Sequence, residues 1–157
     1  MHLLAEESIR INRAASEVFE YVTNMEHFGD WFPGVLAIES ANRHAHGQVG
    51  KEYREKVSVP LRGERKVRIV VCEARTNSFF ATEGHFPPVM PRMELAFSQE
   101  AGNACTVTWK MFSRNKGLLF RLSMLPLARN IMRKRAAAGM KRLKTRLETS
   151  RHAETAM

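Results

Sequence analysis

The sequence predicts an α+β domain: a curved antiparallel sheet of about seven strands wrapped around one long C-terminal helix, with two short helices after the first strand. Three observations carry the prediction. At helical spacing Ala128, Ile131, Met132, Ala136, Gly139, Met140, Leu143 and Leu147 form one apolar stripe, and Arg129, Arg133, Lys134, Lys141, Arg142, Lys144 and Arg146 occupy the other side. Between Tyr53 and Met111, runs of alternating apolar and polar residues are separated by short turn signals, which pairs successive strands antiparallel. The helix from Ala128 to Leu147 would be about 30 Å long, and strands of eight to eleven residues reach about 27–36 Å, so one helix can cover one sheet.

Each element follows in order. Ile9 and Ile11 alternate with Ser8, Arg10 and Asn12, a half-buried strand over Glu7–Arg13. Ser16 before Glu17 reads as a helix N-cap, with Val18, Phe19 and Val22 as the apolar side. Asn24 caps a second short helix, Met25 to Phe32, which Pro33-Gly34 ends. A strand over 35–42 and a loop over 44–50 follow. Tyr53, Glu55, Val57 and Val59 share one face of the next strand, and Pro60 to Gly63 turns the chain. Val67, Ile69 and Val71 face oppositely to Lys66, Arg68, Val70 and Cys72. Asn77-Ser78 turns into Phe79–Glu83, and His85–Pro91, with three prolines, is a loop or bulged edge. Met93, Leu95 and Phe97 alternate, Gly102-Asn103 makes a hairpin turn, and Cys105, Val107, Trp109 and Met111 alternate on the last strand.

The 157 residues suit one domain, taken as 1–150, with a frayed tail over 151–157. No apolar run approaches a membrane span, and the first residues carry neither a basic start nor a long apolar stretch, so no secretory signal is expected. Cys72 and Cys105 lie in strand-like runs and read as reduced core thiols. Together these features place the chain in the cytoplasm. The net charge of +9 has two readings. One is contact with an anionic membrane surface or RNA through the basic helix face; the other is a solvated basic surface spread over strands and helix.

The run Ile9-Arg10-Ile11, then Ala15-Ser16-Glu17-Val18-Phe19-Glu20-Tyr21-Val22-Thr23-Asn24, then Trp31-Phe32-Pro33-Gly34-Val35, in this order of elements, resembles the START-like helix-grip (SRPBCC) superfamily. The branch it most resembles is the polyketide cyclase/dehydrase and lipid-transport group, over about Ser8 to Leu147. The resemblance implies a cavity for a hydrophobic ligand between sheet and terminal helix. It also implies that Trp31, Phe32 and the following Pro33-Gly34, with the proline-rich loop His85–Pro91, stand at the cavity mouth; an aromatic pair on a short helix is otherwise core.

The residues themselves point to candidates. Ala136 and Gly139 at mid-helix leave either a void above the sheet or room for close backbone packing, since glycine inside a helix costs about 1 kcal/mol against alanine. Met90, Met111, Met132 and Met140 suit an adaptable apolar pocket or plain core. Arg135, beside the apolar stripe, either meets an acceptor or an anionic ligand group, or snorkels to solvent. Tyr53, Glu55, Glu83 and Trp109 are candidates to line the site from the sheet, Glu55 and Glu83 being the weak candidates for catalysis; strand carboxylates more often pair with neighbouring arginines. His44 and His46 form an isolated H-x-H, so no metal and no cofactor is expected. Three functions follow: binding or transport of a lipid, isoprenoid or polyketide by a monomer or homodimer; a cofactor-independent cyclase or dehydratase; or an interaction protein docking through the basic helix.

Overall fold

The computed structural model describes residues 1–155, with side chains as far as Ser150. The strands are β1 (His2–Ile11), β2 (Val35–Ser40), β3 (Glu52–Val59), β4 (Gly63–Arg75), β5 (Phe79–His85), β6 (Pro91–Glu100) and β7 (Ala104–Ser113). The helices are α1 (Ala15–Thr23), α2 (Phe28–Trp31), α3 (Leu118–Ser123) and α4 (Leu125–Thr155). All seven strands join one antiparallel curved sheet in the order β1-β7-β6-β5-β4-β3-β2. From β2 to β7 every step is between neighbours. Only β1 and β2 lie at opposite edges, and α1 and α2 carry the chain across between them. This is the predicted α+β helix-grip architecture.

Local differences have identifiable causes. β1 begins at His2, not Glu7. Its register slips between Leu3 and Ala5, so Leu4 and Ala5 are both buried and the alternation fails there. The cap of α1 is Ala14, not Ser16: the Ala14 amide donates to Glu17 Oε2 at 3.2 Å, so an acid in the first turn replaces the hydroxyl. Asn24 does cap, its Oδ1 accepting from the Glu26 amide at 3.1 Å. The segment it starts is a 3-10 turn over Met25–His27 followed by the single turn of α2.

Alternation places Tyr53, Glu55, Val67, Ile69, Val71, Phe80, Met93, Leu95, Val107 and Trp109 on the inner face, all buried. The stripe of α4 meets this face: Ala136, Met140, Leu143 and Leu147 are buried. With 31 residues α4 is about 46 Å long, half as long again as the predicted helix, with Pro126 tolerated in its first turn. It lies along the edge strand β1. Arg129 Nε donates to the Leu3 carbonyl at 3.0 Å, Lys144 Nζ to the Arg10 carbonyl at 2.6 Å, and Glu148 Oε1 accepts from the Asn12 amide at 2.9 Å. These bonds occupy an edge that otherwise invites pairing with another chain. The tail expected from Arg151 falls where helical backbone continues to Thr155; Ala156 and Met157 lie outside the described residues.

Candidate ligand-binding site

The space between the sheet and the middle of α4 gathers most of the candidates. Trp31, Phe32, Trp109, Met111, Ala136, Gly139 and Met140 are all buried, and Tyr53 is buried against Thr23 and His46. Four rings fill its centre. Phe32 stacks on Phe28 at 4.9 Å and on Trp109 at 5.2 Å between centroids, and Trp31 meets Phe28 and Phe32 edge-on at 5.1 and 5.8 Å.

This packing accounts for the glycine of α4. A Cβ at Gly139 would lie 3.0 Å from Phe32 Cδ2 and 3.3 Å from Pro33 Cδ, so the residue allows close approach of the Phe32-Pro33 segment. Gly34, at φ +88°, meets the same helix one turn earlier. A side chain there would strike the Arg135 guanidinium, whose Cζ lies 2.5 Å from the Cβ position. Residues 32–34 therefore rest on α4 at two points, Gly139 and Arg135.

Polar groups are few inside and poorly matched. Glu55 on β3 is 8% exposed and makes no hydrogen bond or ion pair among the described residues. Burial pushes its carboxyl up to about 7, and the Arg135 charge opposes this only in part. Arg135 is half-buried and donates from Nη2 to the Ser58 carbonyl at 2.8 Å, so it neither snorkels fully nor closes an ion pair with Glu55. Burial holds its own pKa below the usual arginine value, with Glu55 acting the other way. The indole N–H groups of Trp31 and Trp109 are buried with no hydrogen-bond partner in the protein. Native interiors rarely leave such donors unpaired.

Tyr53 is better served. Its hydroxyl is hydrogen-bonded to His46 Nδ1 at 2.6 Å and donates to the Thr23 carbonyl at 3.4 Å. Burial pushes the phenol up to about 12 and lowers the His46 imidazole, so both groups are neutral at pH 7. Nothing in the spacing of an H-x-H pair predicts this bond. The loop that carries His46 folds back on β3, and that is a tertiary fact. Among the described residues no three His, Cys, Asp or Glu side chains stand together to hold a metal ion.

Glu83 does not join Glu55. It lies on the outer face of β5, 3.1 Å from Arg92 and 3.1 Å from Arg114. Arg92 also reaches Glu94 at 2.7 Å and the Cys72 thiol at 3.3 Å. The arginine pairing open to both carboxylates is thus the fate of Glu83. Cys105 is buried, Cys72 is part of this outer cluster, and both are free thiols. Met132 is partly buried against the core. Met90 sits at φ +48° in the loop between β5 and β6.

Two open grooves of about 640 and 620 Å³ mark the surface. One runs over the outer side of α4 past Asp30, Lys141 and Arg146, the other between β1 and Arg129 and Arg133. Neither is lined by Glu55, Arg135 or the indoles.

Against known proteins, the family described as "Polyketide cyclase / dehydrase and lipid transport" matches residues 2–148. No curated protein matches the chain. A START superfamily protein from Mycobacterium smegmatis superposes with a TM-score of 0.75 at 14% identity, over 95% of this chain and 99% of that one. A protein from Thermus thermophilus gives 0.72 at 14% identity, over 93% and 97%. The di-domain ARO/CYC BexL of the BE-7585A biosynthetic pathway gives 0.62 at 13% identity, over 90% of this chain and 48% of that one, so this chain spans about half of it. At such identities the likeness is one of fold.

Proposed function

The chain belongs to the polyketide cyclase/dehydrase and lipid-transport family, and on that premise we propose that it binds a hydrophobic small molecule with oxygen acceptors, of the lipid, isoprenoid or polyketide kind, between the sheet and α4. One observation carries this reading: an apolar interior holds two indole donors without partners in the protein, beside a carboxyl, Glu55, that makes no hydrogen bond among the described residues and faces only the Arg135 charge. Carbonyl or hydroxyl oxygens on a ligand would satisfy the indoles, and a protonated Glu55 would donate a third bond. Apolar contact with the rings supplies the affinity, at about 25 cal/mol per Å² before the cost of ordering.

The rings occupy the centre, so access requires motion. The Phe32–Gly34 segment is the piece to move, because it meets α4 at Gly139 and Arg135, where glycines at 139 and 34 leave no side chain between them. Swinging it outward withdraws Phe32 from Trp109 and opens the interior beside both indoles.

The test is titration with a hydroxyanthraquinone and, separately, a long-chain fatty acid, read by the fluorescence of Trp31 and Trp109. The expected result is saturable quenching by one of them at one molecule per chain, weakened about tenfold by Glu55→Leu, the loss of one good hydrogen bond from a buried group. Unsaturable quenching by both, unchanged in the variant, contradicts the proposal.

A second reading rests on Glu55 alone. A carboxyl titrating near 7 inside an apolar site suits proton transfer at neutral pH, as an aldol cyclisation and loss of water would require. Turnover of a polyketone mimic, with a pH profile that inflects near 7 and disappears in Glu55→Gln, favours the enzyme. Saturable binding with no turnover favours the carrier.

A further inference from the structure

Strand pairing places several loops at one end of the molecule. His2, at the start of β1, pairs with Ser113, at the end of β7, and Ser113 pairs with Pro91, at the start of β6. Val59 and Gly63 close the β3–β4 turn at the same end, and α3 follows directly after β7. The large apolar side chains exposed among the described residues collect here, all but Val49. Leu118, Leu119 and Leu122 of α3 are 64%, 84% and 70% exposed, Leu127 at the start of α4 is 57% exposed, and Leu61 at the tip of the β3–β4 turn is fully exposed. Phe120 and Leu125, both buried, pin α3 to the body, so the leucines are held outward. An apolar patch of this kind on a protein surface marks a contact.

The charge around it is equally one-sided. From Lys116 to Leu147 there are ten lysines and arginines and no aspartate or glutamate, while the rest of the chain is close to neutral. On the strands many cations are matched, among them Lys56 with Glu64 at 2.7 Å, Arg68 with Glu52 at 2.6 Å and Arg92 with Glu94 at 2.7 Å. In the run from Lys116, the exposed Lys116, Arg121, Arg133 and Lys134 make no ion pair among the described residues, whereas farther along α4 Lys144 pairs with Glu148 at 2.8 Å and Arg146 with Asp30 at 3.4 Å. Exposed leucines with unpaired cations before, between and after them in the chain match a bilayer, whose acyl layer takes the leucines and whose acidic headgroups take the cations. Nucleic acid fits less well, because single strands are gripped by exposed aromatic rings and this patch is aliphatic.

We infer that this end of the protein, α3 with the start of α4, docks on an anionic lipid membrane. The inference stands on exposure and charge and needs no ligand under α4. It also places Arg135 and its Ser58 contact at the docked end, since Ser58 directly precedes the last residue of β3.

The experiment is co-sedimentation of the full chain with vesicles of phosphatidylcholine, with and without phosphatidylglycerol, beside a poly(U) binding assay. The expected result is binding to the anionic vesicles only. Leu119→Ser with Leu122→Ser, and separately Arg133→Glu with Lys134→Glu, each weaken it by about tenfold or more. Far-ultraviolet circular dichroism shows that both variants remain folded. Equal binding by the leucine variant overturns the inference, because the patch is then not the contact. A chain that ignores both vesicle types, or that binds poly(U) and not lipid, overturns it as well. Quenching by the hydroxyanthraquinone or the fatty acid without vesicles should be the same in the leucine variant and the native chain, which separates this result from the fate of the ligand reading.

Discussion

Glu55 is a carboxyl whose protonation falls in the neutral range, and it makes a signed prediction. Its carboxyl is raised to about 7 in the fold from a usual value near 4.5. The folded chain therefore holds the proton more tightly, and this contribution to stability is complete below about 4.5 and lost as pH rises through 7. Glu55→Gln removes the titration. Relative to the native chain, the variant should gain about 2–3 kcal/mol between pH 5 and pH 8, read by urea denaturation at the two values. A stability difference that does not change with pH contradicts the assignment. The sequence pointed to this residue only in part. Period-two alternation put Glu55 on the face of Tyr53, which is correct. It gave no direction for Glu83, because Phe79, Phe80, Ala81 and Thr82 are all compatible with burial and no parity can be read from them.

At the scale of elements, the long helix and the order of strands were legible because apolar periodicity and turn chemistry are local properties. Gly102-Asn103 and Asn77-Ser78 turn the chain where expected, with Gly102 at φ +74° and Asn77 at φ +58°. The start of β1 was not legible, since a bulge hides the alternation through Leu3-Leu4-Ala5. Nor was the meaning of Gly139, because void and close packing leave the same mark in a sequence. The geometry gives the helix–segment contact, and Gly139→Ala tests it. Alanine gains about 1 kcal/mol of helix propensity but meets Phe32 at 3.0 Å, and Phe32 is wedged between Phe28 and Trp109. A net loss of about 1–2 kcal/mol in urea denaturation is expected. A variant as stable as the native chain means that the segment is looser than its contacts indicate.

At the scale of the whole molecule, two properties are set apart in space. The strands neutralise many of their own charges, whereas the run from Lys116 to Leu147 carries the excess. A reading of the charge as evenly spread over strands and helix misses this, because pairing across neighbouring strands joins residues distant in sequence, such as Arg68 and Glu52. The interior under α4 is the other property, and fold similarity alone does not say what it holds. On the reading proposed above, a ligand with oxygen acceptors would satisfy the unpaired indoles of Trp31 and Trp109 and accept from a protonated Glu55. The most direct test is mass spectrometry of the purified protein, first native and then after solvent extraction. The expected result is a defined hydrophobic molecule at one per chain, carrying carbonyl or hydroxyl oxygens, and its loss from Glu55→Leu purified in the same way. A native mass equal to the bare chain, with an empty extract, contradicts it.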